Sequence, residues 1–116
     1  MELEKTVRMN ILFSFYRELL TDKQVQYMAD YYEEDYTLAE IAANNDVSRQ
    51  AIYDSIKRTE EILQDYEEKL RLVEEFEERK NVLQQIRTHL KDHYEVDEKL
   101  NHLLSEIIQD TIREEN

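Results

Sequence analysis

The chain contains neither glycine nor proline in its 116 residues. Hairpin turns and sheet corners depend on both, because glycine adopts positive φ angles freely and proline presets the φ of a turn. A sheet with tight connections is therefore disfavoured along the whole length. The sequence predicts an all-α protein.

Hydroxyl side chains mark the starts of three predicted helices. Thr21 and Thr37 are followed three residues later by Gln24 and Glu40, the spacing of a capping box. Ser48 is a third cap, directly before an apolar helical pattern. Apolar residues at helical spacing before Thr21 predict one more helix. We therefore expect four helices in residues 5 to about 58.

Residues 37–58, TLAEIAANNDVSRQAIYDSIKR, carry the most specific local pattern, which predicts a helix-turn-helix. Ala42 is small where the two helices cross, and Asp46 stands at the corner, where a short Asx side chain tolerates a left-handed backbone. The second helix buries Ile52 and Ile56. Its outward side chains suit base edges and phosphates and are Arg49, Gln50, Tyr53, Lys57 and Arg58. A plain helical hairpin in a small bundle is the alternative.

A long apolar seam follows the helix-turn-helix. It repeats alternately by four and three residues, the period of a helix that packs against another helix, through Ile52, Ile56, Thr59, Leu63, Tyr66, Leu70 and Val73. The register shifts after Val73, so we expect a bend or a new helix near residues 79–82. A last helix carries an apolar stripe from Leu100 to Ile112 and is expected to fold back as a hairpin.

These patterns divide the chain into two predicted parts. Residues 1–59 form the helix-turn-helix domain, and residues 60–116 form an acidic extension of a long helix and a C-terminal helix. Burying one Leu or Ile side chain is worth roughly 1.5 to 3 kcal/mol, so an uncovered seam is costly. We therefore expect a homodimer whose interface contains Leu63, Tyr66, Leu70, Val73 and Phe76. A monomer with a folded-back hairpin is the alternative.

The formal net charge of -13 argues against a simple DNA-binding protein, because Lys and Arg supply nonspecific affinity for phosphates. The charges are unevenly distributed. Residues 46–59 hold three cations against Asp46 and Asp54, whereas the acidic residues concentrate beyond Glu60. A small cationic face on an acidic body is consistent with weak, salt-sensitive binding.

Catalytic and metal-binding patterns are weak. Cysteine is absent, which excludes disulfides and thiolate metal sites and is typical of a reducing cytoplasm. His89 and His93 share a helical face but lack an HExxH motif and a neighbouring third ligand. A glycine-rich phosphate loop is excluded by composition. We expect a cytoplasmic protein that is not an enzyme, has no cofactor or metal, and does not insert into a membrane.

Five tyrosines lie close together between residues 16 and 36: Tyr16, Tyr27, Tyr31, Tyr32 and Tyr36. Stacking on unpaired RNA bases is one interpretation. Their helical spacing and apolar neighbours favour core packing with the hydroxyls at the surface.

The segment TLAEIAANNDVSRQAIYDSIKRTE is similar to region 4 of bacterial sigma factors. Together with EKTVRMNILFSFYRELLTDKQ and YYEEDYTL, it makes residues 1 to about 90 resemble the YlxM family of small helix-turn-helix proteins. The resemblance implies nucleic-acid-binding roles for Ser48, Arg49, Gln50, Tyr53, Asp54, Lys57 and Arg58. Asn45 departs from the pattern, which has a large apolar residue there, so the preceding helix is expected to be loosely anchored.

YlxM proteins are thought to act with the signal recognition particle of Gram-positive bacteria, chiefly because their genes neighbour that of its GTPase. The resemblance therefore implies a regulatory accessory that binds the protein or RNA component of the particle. The alternative is a transcriptional regulator that places residues 48–58 in the major groove of DNA. A third hypothesis is a dimerisation module with a purely structural role. The acidic charge favours a protein partner, whereas the motif favours nucleic acid.

Overall fold

The computed structural model describes residues 2–113, and the side chains of residues 3–108. Its elements are helices, which confirms the all-α prediction: α1 Glu2–Tyr16, a short 3-10 turn Arg17–Leu19, α2 Asp22–Tyr32, α3 Leu38–Asn45, α4 Arg49–Leu70, α5 Leu72–His93 and α6 Glu98–Arg113. The side chain of Ile112 lies outside the described residues. Within them, none of the helices combines the length and the apolar character that crossing a membrane requires.

The predicted caps begin α2, α3 and α4. Thr21 and Gln24 bond each other reciprocally, at 2.9 and 3.2 Å, and Thr37 and Glu40 do the same at 3.1 Å in both directions. Ser48 Oγ accepts a hydrogen bond of 3.0 Å from the backbone N–H three residues later. The helix starts inferred from local spacing are thus confirmed.

The corner between α3 and α4 is made without glycine. Asp46 adopts the left-handed conformation expected of it, with φ 55° and ψ 43°. Asn45, directly before it, donates a hydrogen bond of 2.8 Å to the carbonyl of Ile41 and accepts one of 3.4 Å from Gln26 of α2. Polar contacts therefore anchor the end of α3 where the family pattern has an apolar residue.

The long seam is interrupted at Arg71. This residue adopts a left-handed backbone, with φ 55° and ψ 31°, and separates α4 from α5. The break expected near residues 79–82 is wrong, because those residues lie inside α5. Arginine rarely adopts a left-handed conformation, so the local sequence did not indicate that the helix is interrupted at this position.

The contacts form two compact units, one up to Leu70 and one from Arg71 onward. In the first, α1, α2 and α3 all pack on α4. Its buried side chains include Met9, Leu12, Phe13, Tyr16, Tyr27, Met28, Ile41, Ile52, Ile56 and Leu63. The boundary predicted between residues 59 and 60 falls in the middle of α4.

The second unit is the predicted helical hairpin of α5 and α6. Leu104 and Ile108 of α6 are buried. The guanidinium of Arg87, in α5, donates hydrogen bonds to Ser105 at 3.1 Å and to Asn101 at 3.3 Å. Apolar packing and these polar contacts together hold the two helices.

The residues predicted at a dimer interface differ in their accessibility. Leu63, Val73 and Phe76 are at most 2% exposed in the single chain, Tyr66 is half-buried, and Leu70 is 47% exposed. Self-association stays a prediction. Leu63 lies in the core on which the first three helices pack, so part of the seam of α4 is already covered by the chain itself.

Candidate nucleic-acid interface

The first three turns of α4 present the predicted recognition residues on the outside. Ile52 and Ile56 are 0% and 4% exposed and anchor the helix on its inner side. The predicted binding residues are all exposed and constitute what we call the α4 face: Ser48, Arg49, Gln50, Tyr53, Asp54, Lys57 and Arg58. The structure thus brings the whole predicted set together, while their role in binding stays a prediction.

The α4 face is predominantly cationic. Arg49, Lys57 and Arg58 stand against the single carboxylate of Asp54, which accepts a hydrogen bond of 2.9 Å from Gln50. The carboxylate of Asp54 therefore has a hydrogen-bond partner within its own helix. Guanidinium and ammonium groups are the kinds of group that bind phosphates in nucleic-acid-binding proteins, and their field in water is short-ranged and sensitive to salt.

A cavity of about 270 Å³ lies beside this face, within the first unit. We call it the tyrosine groove and define it by Lys5 of α1, Tyr31 of α2, Leu38 of α3, and Tyr53, Lys57 and Glu60 of α4. Two of these residues, Tyr53 and Lys57, also belong to the α4 face. A site made by four helices is thus continuous with the predicted recognition surface.

A buried carboxyl group forms the inner wall of the tyrosine groove. Glu60 is 6% exposed; it accepts a hydrogen bond from the hydroxyl of Tyr32 and lies 3.3 Å from the ammonium of Lys5. Burial, and next the hydrogen bond with Glu60, raise the pKa of the Tyr32 phenol above its ordinary value. A buried carboxylate is tolerated only when it is paired, so Glu60 ties α1 and α2 to α4 at this wall.

Four of the five tyrosines between residues 16 and 36 separate into two groups, and the fifth, Tyr32, is half-buried. Tyr16 and Tyr27 are buried, as core packing predicts, but the hydroxyl of Tyr16 reaches the buried Glu67 instead of the surface. Tyr31 and Tyr36 are 37% and 39% exposed. The second group therefore lies on the surface, against the expectation of core packing.

Sequence reasoning missed Lys5 and Glu60 as groove residues. The two lie far apart in the chain, and they meet only because α1 packs on α4. Glu60 also directly follows Thr59, which the seam pattern predicts to be buried. A charged residue beside a seam position is ordinarily predicted to face solvent. An inward glutamate is recognisable only when its phenol and ammonium partners are known.

The two histidines of α5 contact each other through their rings. His89 and His93 stack with 4.3 Å between ring centroids. Among the described residues, no group of three or more His, Cys, Asp or Glu side chains is arranged to hold a metal ion.

Comparison with known proteins adds family information. The family model described as "Putative helix-turn-helix protein, YlxM / p13 like" matches residues 3–103. A UPF0122 protein of Anoxybacillus flavithermus is 52% identical over 105 residues, covering 90% of this chain and 96% of that protein. One from Limosilactobacillus reuteri is 51% identical over 107 residues, with 92% and 95% covered. UPF0122 protein BH2485 of Halalkalibacterium halodurans is 59% identical over 85 residues, with 73% and 78% covered.

Proposed function

The chain belongs to the UPF0122 family of YlxM / p13-like proteins, and we propose that it is a binding accessory of the signal recognition particle pathway. The observation that carries the proposal is the cationic α4 face on an otherwise acidic protein. The pathway itself follows from the resemblance to YlxM proteins, whose genes neighbour that of the particle's GTPase. The partner is the RNA or the protein component of the particle.

The packing of α4 supports a role in recognition. Its start is fixed by the Ser48 cap, and its inner side by Ile52 and Ile56. A helix held in this way presents Arg49 and Gln50 with little freedom of its backbone, and rigid presentation lowers the entropy lost on binding. The acidic remainder of the chain repels phosphates, so it favours contact with RNA at this face and at the adjoining tyrosine groove.

The proposed mode of action is binding, with an effect on the partner's catalysis. The composition offers no glycine for a phosphate-binding loop. We therefore expect the protein to change the rate at which the particle's GTPase hydrolyses GTP, without hydrolysing GTP itself.

The direct test titrates the protein into the purified GTPase, with and without the particle's RNA. We expect binding and a change in GTP turnover. The double variant Arg49→Ala and Lys57→Ala should lose both. A variant with Lys23→Ala and Arg79→Ala removes the same charge from exposed positions outside the α4 face and should behave as the unmodified protein. If the unmodified protein neither binds nor changes turnover, the proposal is wrong.

A transcriptional regulator is the second candidate, favoured by the corner between α3 and α4. The left-handed Asp46 and the Ser48 cap form the short connection of a helix-turn-helix whose second helix reads the major groove. Selection of bound genomic fragments at physiological salt tests it. Recovery of one enriched sequence would support this candidate, and recovery of none would rule it out.

A further inference from the structure

The tyrosine groove offers exposed aromatic faces in a fixed arrangement. Tyr31 and Tyr53 are 37% and 42% exposed, although both line one cavity. The Tyr31 ring meets that of Tyr32 edge to face, with centroids 5.0 Å apart, and Tyr32 is held in turn by Glu60. Aromatic faces that stay open to solvent while their orientation is fixed are suited to stacking with a planar ring.

The floor and the rim of the groove differ in chemistry. Leu38 and Ile56 supply apolar lining, and Ile56 is almost fully buried. Lys57 supplies an ammonium group that lies 6.0 Å from the centroid of the Tyr53 ring, and Lys5, which is paired with Glu60, supplies a second. An apolar and aromatic interior with cations beside it matches a planar base attached to a phosphate.

The size and shape of the groove indicate a single-stranded ligand. A duplex is read by a protruding helix, the role available to the α4 face, and does not enter a concave site. The cavity of about 270 Å³ is close to the lower limit of small-ligand sites. A neighbouring hollow of about 470 Å³ shares Tyr31, Tyr32 and Leu38 with it and extends to Tyr36 and Arg49. Space for an adjoining nucleotide therefore continues along the same surface.

We infer that the tyrosine groove binds one unpaired nucleotide of an RNA, with the base stacked on Tyr31 and Tyr53 and the phosphate near Lys5 and Lys57. The inference rests on the proposed function in one respect, namely that RNA is a partner. It deepens that function, because it identifies a bulge or loop, next to a paired stem, as the feature that is recognised.

The test uses a short RNA hairpin with one bulged 2-aminopurine, whose fluorescence reports stacking, and the two strands of its stem are joined by a linker without nucleotides, so that the bulge is the unpaired element. The comparison ligands are the same hairpin fully paired and free adenosine monophosphate. We expect the unmodified protein to bind the bulged hairpin more tightly than either and to alter the fluorescence of the probe. Tyr31→Ala should weaken binding to the bulged hairpin on the order of 10- to 100-fold and leave binding to the paired hairpin unchanged.

Two further variants separate stacking from folding. Tyr31→Phe keeps the ring and should retain the affinity and the fluorescence change. Tyr94→Ala removes a tyrosine that is 63% exposed in the second unit and should have no effect. If Tyr31→Ala weakens binding to both hairpins equally, or if Tyr31→Phe does not restore it, the ring has a structural role and the inference is wrong.

The remaining outcomes are also decisive. Equal binding of bulged and paired hairpins by the unmodified protein, or no binding of either, overturns the inference. Free nucleotide bound as tightly as the bulged hairpin overturns the assignment to RNA. Stacking of the bulged base without binding to the particle or any effect on its GTPase supports the inference and contradicts the proposed function, so the two failures are distinguishable.

Discussion

The hydroxyl of Tyr16, in α1, donates a hydrogen bond of 2.5 Å to the carboxyl group of Glu67, in α4. Both side chains are buried. Tyr32 and Glu60 repeat the relationship between α2 and α4, two helical turns nearer the recognition residues. Two inward-facing carboxyl groups on one helix, each bonded to a phenol from another helix, specify how α1 and α2 pack on α4, because each must find its partner to be buried.

Replacing Tyr16 tests the energetic weight of its hydrogen bond. Tyr16→Phe deletes the donor to Glu67 and keeps the buried ring, so the free energy of unfolding should fall by about 1.5 to 3 kcal/mol. Urea denaturation at neutral pH measures the change. Tyr94→Phe removes the same atom from an exposed ring and should shift the free energy by less than about 0.5 kcal/mol. Equal effects of the two variants would contradict the prediction.

The raised pKa of Tyr32 predicts how stability depends on alkaline pH. Burial, and then the bond to Glu60, raise the pKa of this phenol above its ordinary 10.0, so the folded state holds the proton more tightly than the unfolded state. The resulting stabilisation is complete below pH 10.0 and is lost as the pH rises through the raised value. Phenolate absorbance should show one fewer late-titrating tyrosine in Tyr32→Phe than in the unmodified protein. An equal number of late-titrating tyrosines in the two proteins would rule out the assignment.

The left-handed Arg71 predicts an unusual response to substitution. The left-handed conformation costs a residue with a Cβ atom about 1 to 2 kcal/mol of stability, and it costs a β-branched residue more. The Arg71 to Glu74 pair of 2.9 Å is exposed and contributes little. Arg71→Gly should therefore be at least about 1 kcal/mol more stable than Arg71→Val in urea denaturation. Comparable stability of the two would show that the backbone is not left-handed there.

Salt dependence separates phosphate contacts from base contacts on the α4 face. If Lys57 contacts a phosphate, Lys57→Ala should reduce the slope of log affinity against log salt by about 1, because one fewer counterion is released. Gln50→Ala should keep the slope and lose about 1 to 3 kcal/mol of discrimination between sequences. Fluorescence anisotropy at several salt concentrations measures both. Identical slopes for Lys57→Ala and the unmodified protein would exclude a phosphate contact.

The predicted homodimer is tested best at Leu70, the exposed member of the predicted interface. Sedimentation equilibrium at micromolar concentration should give the mass of two chains, and Leu70→Lys should give the mass of one. Leu3→Lys, at a position 77% exposed near the start of α1, is the matched control and should remain dimeric. Leu63 is unsuitable, since a lysine in that buried position would unfold the core. A mass of one chain for the unmodified protein would establish the monomeric alternative.

Structural features that depend on neighbouring residues could be predicted from the sequence. The capping boxes at Thr21 and Thr37, the Ser48 cap and the left-handed Asp46 each depend on residues within a few positions of one another. The α4 face follows from the same logic, because a buried Ile52 and Ile56 determine which side of a helix is outside. The absence of glycine and proline excluded most alternatives to helices.

Only the tertiary structure decided how distant residues combine. Lys5 and Glu60 meet across α1 and α4, and Tyr31 and Tyr53 come to line one groove, although no short-range pattern connects them. The apolar seam of α4 did not determine its packing partner. A stripe of period 3.5 can be buried by a second chain or by helices of the same chain. For Leu63 the same chain supplies the cover. Periodicity specifies which side of a helix is buried, but only the packed fold specifies what buries it.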